Sequence, residues 1–466
     1  MAKKTKAADL SIEEKLEQAL IVPGYEPYKI PDNWCWTTVG TVTNIYRGVS
    51  YKKNEGHSEK HMNDCLVLRG GNIQEGSIDT ETDNVFVNRD LVSGTQIIRK
   101  YDVIIVSSTG SKKVIGRAGI SFSDYSDVAF GAFLTLVRAN DYIYKPFIAY
   151  YLQSDIYRNR IRTLASGVNI NNIRNEYITE TPLSLPPLPE QQRIVERIES
   201  LFSKLDEAKE KAQEVIDSFE TRKAAILHKA FSGELTAKWR EENGVGIESW
   251  ENRSINDICH SLKYGTSKKS KTQGSVIGIR MGNIQQGEID WSDLAYTDDK
   301  EDIEKYRLSP GDVLFNRTNS AVLVGKTSIY RGEFPAIYAG YLIKLDYKHD
   351  EIIGDYLNYA LNTPAAKEYC NNVKTDGVNQ SNINAKKIGA FVIPVASINE
   401  QQVIVEIISS LLKKENESKQ AAEVVIDQIY TMKKAVLARA FRGELGTNDP
   451  EEESAVELLK QILSGE

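Results

Sequence analysis

The fold predicted for this 466-residue chain is α+β: two similar globular α/β domains separated by two long antiparallel helices, a coiled coil, related by a pseudo-two-fold internal repeat. Three observations predict it. A long repeat runs through the chain at a nearly constant offset. Each copy changes texture once, from short mixed elements to continuous helix. An apolar seam of the same register follows each change.

The repeat is direct. Arg69-Gly70-Gly71-Asn72-Ile73-Gln74 returns as Arg280-Met281-Gly282-Asn283-Ile284-Gln285, and Tyr101-Asp102-Val103-Ile104 as Gly311-Asp312-Val313-Leu314. Gly167-Val168-Asn169 matches Gly377-Val378-Asn379, Glu190-Gln191-Gln192 matches Glu400-Gln401-Gln402, and Ala230-Phe231-Ser232-Gly233-Glu234-Leu235 matches Ala440-Phe441-Arg442-Gly443-Glu444-Leu445. The offset stays between 209 and 211. Solenoid periods run to only ~50 residues, so each copy is a whole domain plus a connector.

The first part of each copy mixes β-branched runs, such as Val103–Val106 and Phe391–Ile393, with Gly, Asn and Asp turns. Tyr142–Leu164 and Glu351–Val373 read as its longest helices. After Pro186-Pro187-Leu188-Pro189 the pattern turns helical. Ile194, Ile198, Leu201, Leu205, Ala208, Ala212, Val215, Phe219 and Ile226 form a heptad seam broken by Arg222. Ile404, Ile408, Leu411, Ala422, Val425, Ile429, Met432 and Val436 repeat it, with Glu415 and Ser418 as polar interruptions. A helix of ~38 residues is ~57 Å long and cannot bury such a stripe alone. Matching registers within one chain favour pairing of the two seams with each other, antiparallel, with the globular domains at opposite ends. The boundaries follow: an amphipathic segment at 1–29, a first domain at 30–188, a helix at 189–232, a linker at 233–249, a second domain at 250–397, a helix at 398–442 and an acidic tail at 443–466.

Composition is that of an ordinary globular chain, 41% apolar and 26% charged. No run is apolar for the ~18 residues a bilayer requires, and four scattered cysteines suggest neither a disulfide framework nor a zinc knuckle. A cytoplasmic protein without membrane contact is expected. The net charge of −7 is concentrated in the tail, where Asp449, Glu451, Glu452, Glu453, Glu457 and Glu466 face Lys460 alone. The remainder is near neutral with basic clusters, which permits nucleic-acid binding without requiring it.

The sequence carries no complete catalytic motif. Gly325-Lys326-Thr327 lacks the second glycine of a phosphate loop, since Ser320 stands in its place. The only adjacent prolines, Pro186-Pro187, follow Leu185, so no amino-methyltransferase site is present. His57, His61 and Cys65 share a four-residue spacing but supply three ligands against the four of a closed zinc site. No catalytic residue and no metal site is therefore predicted.

Basic and amide residues recur in both copies. Arg47, Tyr51, Lys52 and Lys53 answer to Lys263, Tyr264, Lys268 and Lys269; Arg69, Asn72 and Gln74 answer to Arg280, Asn283 and Gln285. Ser107, Ser108, Thr109, Ser111, Lys112 and Lys113 answer to Arg317, Thr318, Asn319 and Ser320, and Asn169, Asn171 and Asn172 to Asn379, Gln380, Ser381 and Asn382. Arg and Lys pair with guanine edges, Asn and Gln with adenine, while hydroxyls and ammonium groups hold phosphates. The competing reading is local: glycine-flanked Asn makes turns, and short charge runs are solvated.

The Arg47–Lys53, Gly71–Gln74, Gly167–Ile173, Pro186–Gln191 and Ala230–Arg240 segments resemble a specificity (S) subunit of Type I restriction–modification systems, and the resemblance covers about residues 30–445. It implies two target-recognition domains on a helical spacer, each reading one half of a bipartite, asymmetric site in double-stranded DNA. It also implies two modification subunits that methylate adenine with S-adenosylmethionine, and restriction motor-nuclease subunits using ATP and magnesium. No cofactor is expected on this chain. The Trp239-Arg240 continuation has no counterpart after Leu445, where Gly446-Thr447-Asn448 follows. The alternatives are a coiled-coil scaffold without DNA readout and a self-sufficient DNA enzyme. A fragment ending near Gly244 is expected to pair with itself and, with modification subunits, to direct methylation to a palindromic split site; methylome sequencing that returns the parent's asymmetric site would contradict the repeat argument.

Overall fold

The computed structural model describes residues 10–111, 113–165, 172–378 and 380–465. The chain forms two compact units, residues 1–211 with 425–466 and residues 212–424. Each unit holds one globular domain, the early turns of the long helix that follows it, and the late turns of the other long helix.

The two domains share a four-stranded and a three-stranded sheet that correspond strand for strand. In the first, Thr43–Arg47, Leu134–Ala139, Val103–Val106 and Ala118–Ile120 lie side by side in that order, all antiparallel. A mixed sheet of Phe86–Asn88, Asp64–Leu68 and Val128–Phe130 has the latter two parallel. In the second domain, Cys259–Tyr264, Leu342–Tyr347, Val313–Asn316 and Thr327–Ile329 form the antiparallel sheet, and Tyr296–Thr297, Val276–Ile279 and Ala336–Tyr338 the mixed one. The unbroken apolar run Val103–Val106 is explained by burial on both faces. Val103 and Ile105 enter one core while Ile104 and Val106 enter another, the two-residue alternation of a strand serving two apolar layers. Val313 and Phe315 are divided from Leu314 in the same way.

Glycine is required by close approach where Thr43–Arg47 and Cys259–Tyr264 each meet the mixed sheet of their domain. A Cβ on Gly48 would lie 2.1 Å from the Gly131 carbonyl oxygen, and one on Gly265 would lie 2.2 Å from that of Tyr338. The parallel bridges Val49–Gly131 and Thr266–Ala339 beside them show that Arg47 corresponds to Tyr264, and Tyr51 to Lys268, where the sequence alignment sets Arg47 against Lys263 and Tyr51 against Tyr264.

Two of the expected helices divide. Tyr142–Leu164 is Lys145–Tyr151 and Asp155–Ala165, and Glu351–Val373 is Gly354–Leu361 and Pro364–Val373. The second division is written in the chain: Thr363 caps the new helix, accepting from the Ala366 amide at 3.2 Å, with Pro364 in its first turn.

The long helices are Leu188–Asp217 continued by Phe219–Phe231, and an uninterrupted Ile398–Ala440. In the first unit, Ile194 and Ile198 share a core with Leu437, Ala440 and Phe441; in the second, Leu227 and Ala230 share one with Ile404 and Ile408. Early turns of one helix therefore meet late turns of the other, and the pairing is antiparallel within the chain. The polar interruptions meet as well. Arg222 Nε donates to Glu415 at 2.6 Å and Nη2 to the Val215 carbonyl at 3.0 Å, beside the break at Ser218. That guanidinium serves a carbonyl left over by the break and fixes register against the other helix. The seam is not strictly heptad throughout: Ile429 is buried as expected, but Val425 and Met432 are exposed, and Leu437, outside the expected seam, is buried in the core. A helix of 3.6 residues per turn drifts away from a seven-residue seam unless it supercoils.

Each long helix begins at a buried Glu-Gln pair. Glu190 Oε2 accepts the Trp34 indole N–H at 2.6 Å, and Glu400 Oε2 that of Trp250 at 2.8 Å. Gln191 Oε1 accepts from the Tyr144 amide and Gln401 Oε1 from the Ile353 amide, each just ahead of a domain helix. The second carboxylate has a cation, Arg240, at 2.7 Å, with Thr236 also donating. The first has neutral donors from the tail, Asn448 at 3.0 Å and Thr447 at 3.3 Å. The tail is thus integral to its unit. Arg193 grips Glu452 with two bonds of 2.7 and 2.8 Å, and the Ala455–Ser464 helix buries Leu458 and Leu459 against the core that also receives Leu16 of the Ile12–Ala19 helix. Glu400→Ala should cost about 3–5 kcal/mol in denaturant unfolding, because it strands a buried arginine. Glu190→Ala, which strands only neutral donors, should cost about 1–3 kcal/mol; equal losses would show that the Arg240 charge does not matter.

Candidate nucleic-acid interface

The recurring Arg-x-x-Asn-x-Gln segments build one turn twice. Asn72 Oδ1 accepts from the Arg69 amide at 2.8 Å and its Nδ2 donates to the Thr82 carbonyl at 2.7 Å. Asn283 accepts from the Arg280 amide at 2.9 Å and donates to the carbonyls of Asp290 and Asp293, each at 2.9 Å. Exposures of 1% and 3% put both amides inside the fold. Arg69 and Arg280 pair with Asp83 and Asp293, and Gln74 and Gln285 donate back to the Gly71 and Gly282 carbonyls. For Asn72 and Asn283 the turn-building role is the one the structure displays.

The remaining candidates are distributed over loops at one edge of each sheet. In the first domain Arg47, Lys52, Lys53, Ser111, Lys113 and Asn172 are exposed, while Tyr51 and Thr109 are half-buried. A Ser108–Asn172 bridge and a 2.8 Å bond from the Ile173 amide to the Ser107 carbonyl bring two of these loops together. Lys112, Asn169 and Asn171 lie outside the described residues, as does Asn379 in the second domain.

In the second domain, Thr318–Asn319 pairs with Ser381–Asn382, and Asn382 Nδ2 donates to the Thr318 hydroxyl at 2.8 Å. The Arg317 guanidinium lies 4.9 Å from the centre of the Tyr264 ring, whose hydroxyl accepts from the Ala385 amide at 2.9 Å. Tyr264, Arg317, Asn319 and Asn382 therefore form one connected polar surface, with exposed Ser320 and Gln380 in the adjoining loops. Other basic candidates are engaged: Lys263 pairs with Asp346 at 2.7 Å, and Lys268 with Asp299 at 2.7 Å and Asp302 at 3.4 Å. Lys269 is exposed.

A matched pair of cationic clefts was missed by the sequence reading. In the first domain Gln74, Lys113, Arg117, Arg158 and Arg162, with Glu75, line an open cleft of about 620 Å³. In the second, Gln285, Lys326 and Lys367 line one of about 250 Å³ together with Lys223. Arg117 corresponds to Lys326 and Arg158 to Lys367, both at an offset of 209. The signal was present in Ile115-Gly116-Arg117 and Val324-Gly325-Lys326, set aside as a failed phosphate loop. What hid the cleft is that its other half comes from a helix some forty residues downstream.

The cleft charges differ in their partners. Arg158 is tied to Glu75 at 2.8 Å, and Arg117 donates to the Ile73 carbonyl at 2.9 Å. Lys326 donates to Gln285 Oε1 at 2.8 Å, and burial, reinforced by Lys367, holds its ammonium below the usual lysine range. Lys223 is lowered by burial too, with Glu220 acting in the opposite direction. A depressed lysine makes the folded state less favourable at any pH below its unfolded range, and the penalty is fully present at neutral pH. Lys326→Met should thus leave the protein at least as stable at pH 7 in denaturant unfolding. A loss above about 1 kcal/mol would mean that the ammonium contributes to the fold itself.

Among the described residues the four cysteines are free and buried, with burial pushing the Cys35 and Cys259 thiols up to about 12. Among the same residues, no helix is long and apolar enough to cross a membrane.

The fold and its paired surfaces are those of a two-domain DNA-specificity protein, and comparison with known proteins agrees. Residues 31–217 and 247–426 each match the Type I restriction modification DNA specificity domain, so the chain belongs to that family. It is 29% identical to the Type I restriction enzyme EcoKI specificity subunit of Escherichia coli K12, over 93% of this chain and 96% of that one. It is also 29% identical to the StySPI specificity subunit of Salmonella potsdam, over 90% of each chain. Among solved structures, a chain described for complex assembly and conformational transition of the type I R-M system aligns with a TM-score of 0.66 at 19% identity, over 90% of this chain and all of that one. The HsdS subunit from Thermoanaerobacter tengcongensis aligns with a TM-score of 0.57, also at 19% identity, over 90% and 99%.

Proposed function

We propose that this specificity subunit reads a bipartite, asymmetric site in double-stranded DNA and performs no chemistry itself. On this reading it directs the adenine methyltransferase and motor-nuclease subunits of its complex, and S-adenosylmethionine, ATP and magnesium belong to those partners. The observation that carries the proposal is the matched pair of cationic clefts, each beside a loop surface of arginine, amides and hydroxyls. Cations that are not all neutralised by neighbouring acids suit phosphates, while planar amide and guanidinium groups suit base edges. Two related but non-identical readers make the site split and asymmetric, with half-site centres roughly 34 Å apart, one turn of DNA. The scaffold alternative gives no reason for half-buried lysines in a cleft that bond to amide groups, Lys326 to Gln285 and Lys223 to Gln286, and not to carboxylates.

A gel-shift series with the modification subunits present tests this reading. Arg162 and Lys367 are both exposed, so Arg162→Gln and Lys367→Gln should fold normally. Each variant should lower the slope of log affinity against log salt by about 1, the loss of one phosphate contact. An unchanged slope in both would remove the clefts from the interface. Methyl transfer by the purified chain alone would overturn the non-catalytic role, and partner binding without DNA preference would favour the scaffold.

A further inference from the structure

We infer that His57, His61 and Asp64 form a binding site for one divalent transition-metal ion, zinc being the best fit, which fastens a loop of the first domain. Their ligand atoms lie within 4.8 Å of one another. His57 Nε2 is 2.7 Å from Asp64 Oδ2 and 3.1 Å from His61 Nδ1, and the third edge, His61 Nδ1 to Asp64 Oδ2, is 3.5 Å. Two ligands each ~2.1 Å from an ion stand ~3.0 Å apart in an octahedral site and ~3.4 Å apart in a tetrahedral one. The triangle therefore has the size of one face of a coordination shell.

Hydrogen bonding alone serves this triangle poorly. If His57 Nε2 carries its proton toward Asp64, it has no lone pair for His61; if it keeps the lone pair, two acceptors face each other. A cation at the centre satisfies all three atoms at once. Two imidazoles and one carboxylate also match the preference of zinc for nitrogen and oxygen donors, with remaining positions open to water.

The donors are held in place by the fold. His57 is fixed by backbone bonds to Phe86 in both directions, at 3.1 and 2.8 Å, and Asp64 Oδ2 accepts the His61 amide at 2.8 Å. The Asp64 side chain is 5% exposed, and the bond to His57 holds its carboxyl below the usual range. Cys65, which shares the histidine spacing in sequence, is fully buried on the opposite face of the strand. Asp64 is the carboxylate that takes the expected cysteine's place, so the sequence expectation of no metal is revised here.

The two copies show what the ion would do. In the second domain the loop after Thr266 is pinned by Lys268, which reaches Asp299 at 2.7 Å, Asp302 at 3.4 Å and Glu301 at 3.6 Å. In the first domain Tyr51 occupies the place of Lys268, and the histidines sit in the same loop that carries Lys52 and Lys53. A metal would replace the ion-pair cluster as the fastening.

The test is equilibrium dialysis of zinc chloride against the full-length, untagged chain, with cobalt(II) substitution as a spectroscopic check. The expected result is about one zinc per chain, with visible cobalt absorption, and at least tenfold weaker binding in His61→Ala. His61 is largely exposed, so that variant should retain the melting temperature of the metal-free parent. No bound zinc, or zinc bound as tightly by a His57→Ala/His61→Ala pair as by the parent chain, would overturn the site. Zinc stoichiometry is read without DNA, so its failure would leave the DNA-reading proposal standing.

Discussion

A carboxylate buried in the first turn of each long helix ties that helix to the domain ahead of it. Glu190 and Glu400 are 0% and 1% exposed, and each accepts the indole N–H of a tryptophan at the domain's first strand. The following glutamine reaches a backbone amide ahead of a domain helix. Three parts of the chain that are far apart in sequence are thereby set in fixed orientation. Burying a carboxylate is unfavourable unless its lone pairs are met, so the geometry of this joint is strongly specified. A fluctuating hinge at this point would expose or strand the charge.

The two joints are completed differently, and that explains the tail. Arg240 and Thr236, from the segment after the first long helix, close the joint at Glu400. At Glu190 the corresponding segment has diverged, and Thr447 and Asn448 supply neutral donors while Arg193 and Glu452 form an ion pair beside them. Glu452, one of the acidic residues of the tail, is consumed by this contact. The tail helix contributes Leu458 and Leu459 to the first unit's core. Charge counted along the chain does not reveal this packing, because charge says nothing about the apolar face on the other side of a helix.

Much of the fold was legible because it is repeated. A register kept over two whole domains exposes strands too short to be convincing singly, and the paired heptads revealed the helices and their partnership. The break at Ser218 was not legible, since Ser218 keeps helical dihedrals and is an ordinary helix residue. Its trace was instead Arg222, noted as a flaw in the seam and found bonded to Glu415, the flaw in the other. The clefts were less legible for a different reason. They join a strand end to a helix distant in sequence, and periodicity reports which face of an element is apolar, not which neighbour that element meets.

Recurrence between copies proved a guide to framework more than to contact. The residues kept identical, Glu190 and Glu400, Gln191 and Gln401, Gly48 and Gly265, Asn72 and Asn283, have their polar groups or their missing side chains committed inside the fold. Of the positions that face the clefts, Gln74 and Gln285 stay identical, but the cations keep chemical type at most: Arg117 becomes Lys326, Arg158 becomes Lys367, Arg162 becomes Asn371 and Lys113 becomes Val322. This is the division expected of two readers with different half-sites. A common frame must hold each loop in the same place, so its residues cannot vary. On the proposed reading the clefts hold phosphates, which need only a cation, so arginine and lysine exchange there. Base contacts must differ if the halves differ, and the exposed loops, pinned by ion pairs in one domain and by the histidine–aspartate cluster in the other, are where the copies have parted most. A search for the specificity-determining residues should therefore begin with equivalent positions that disagree.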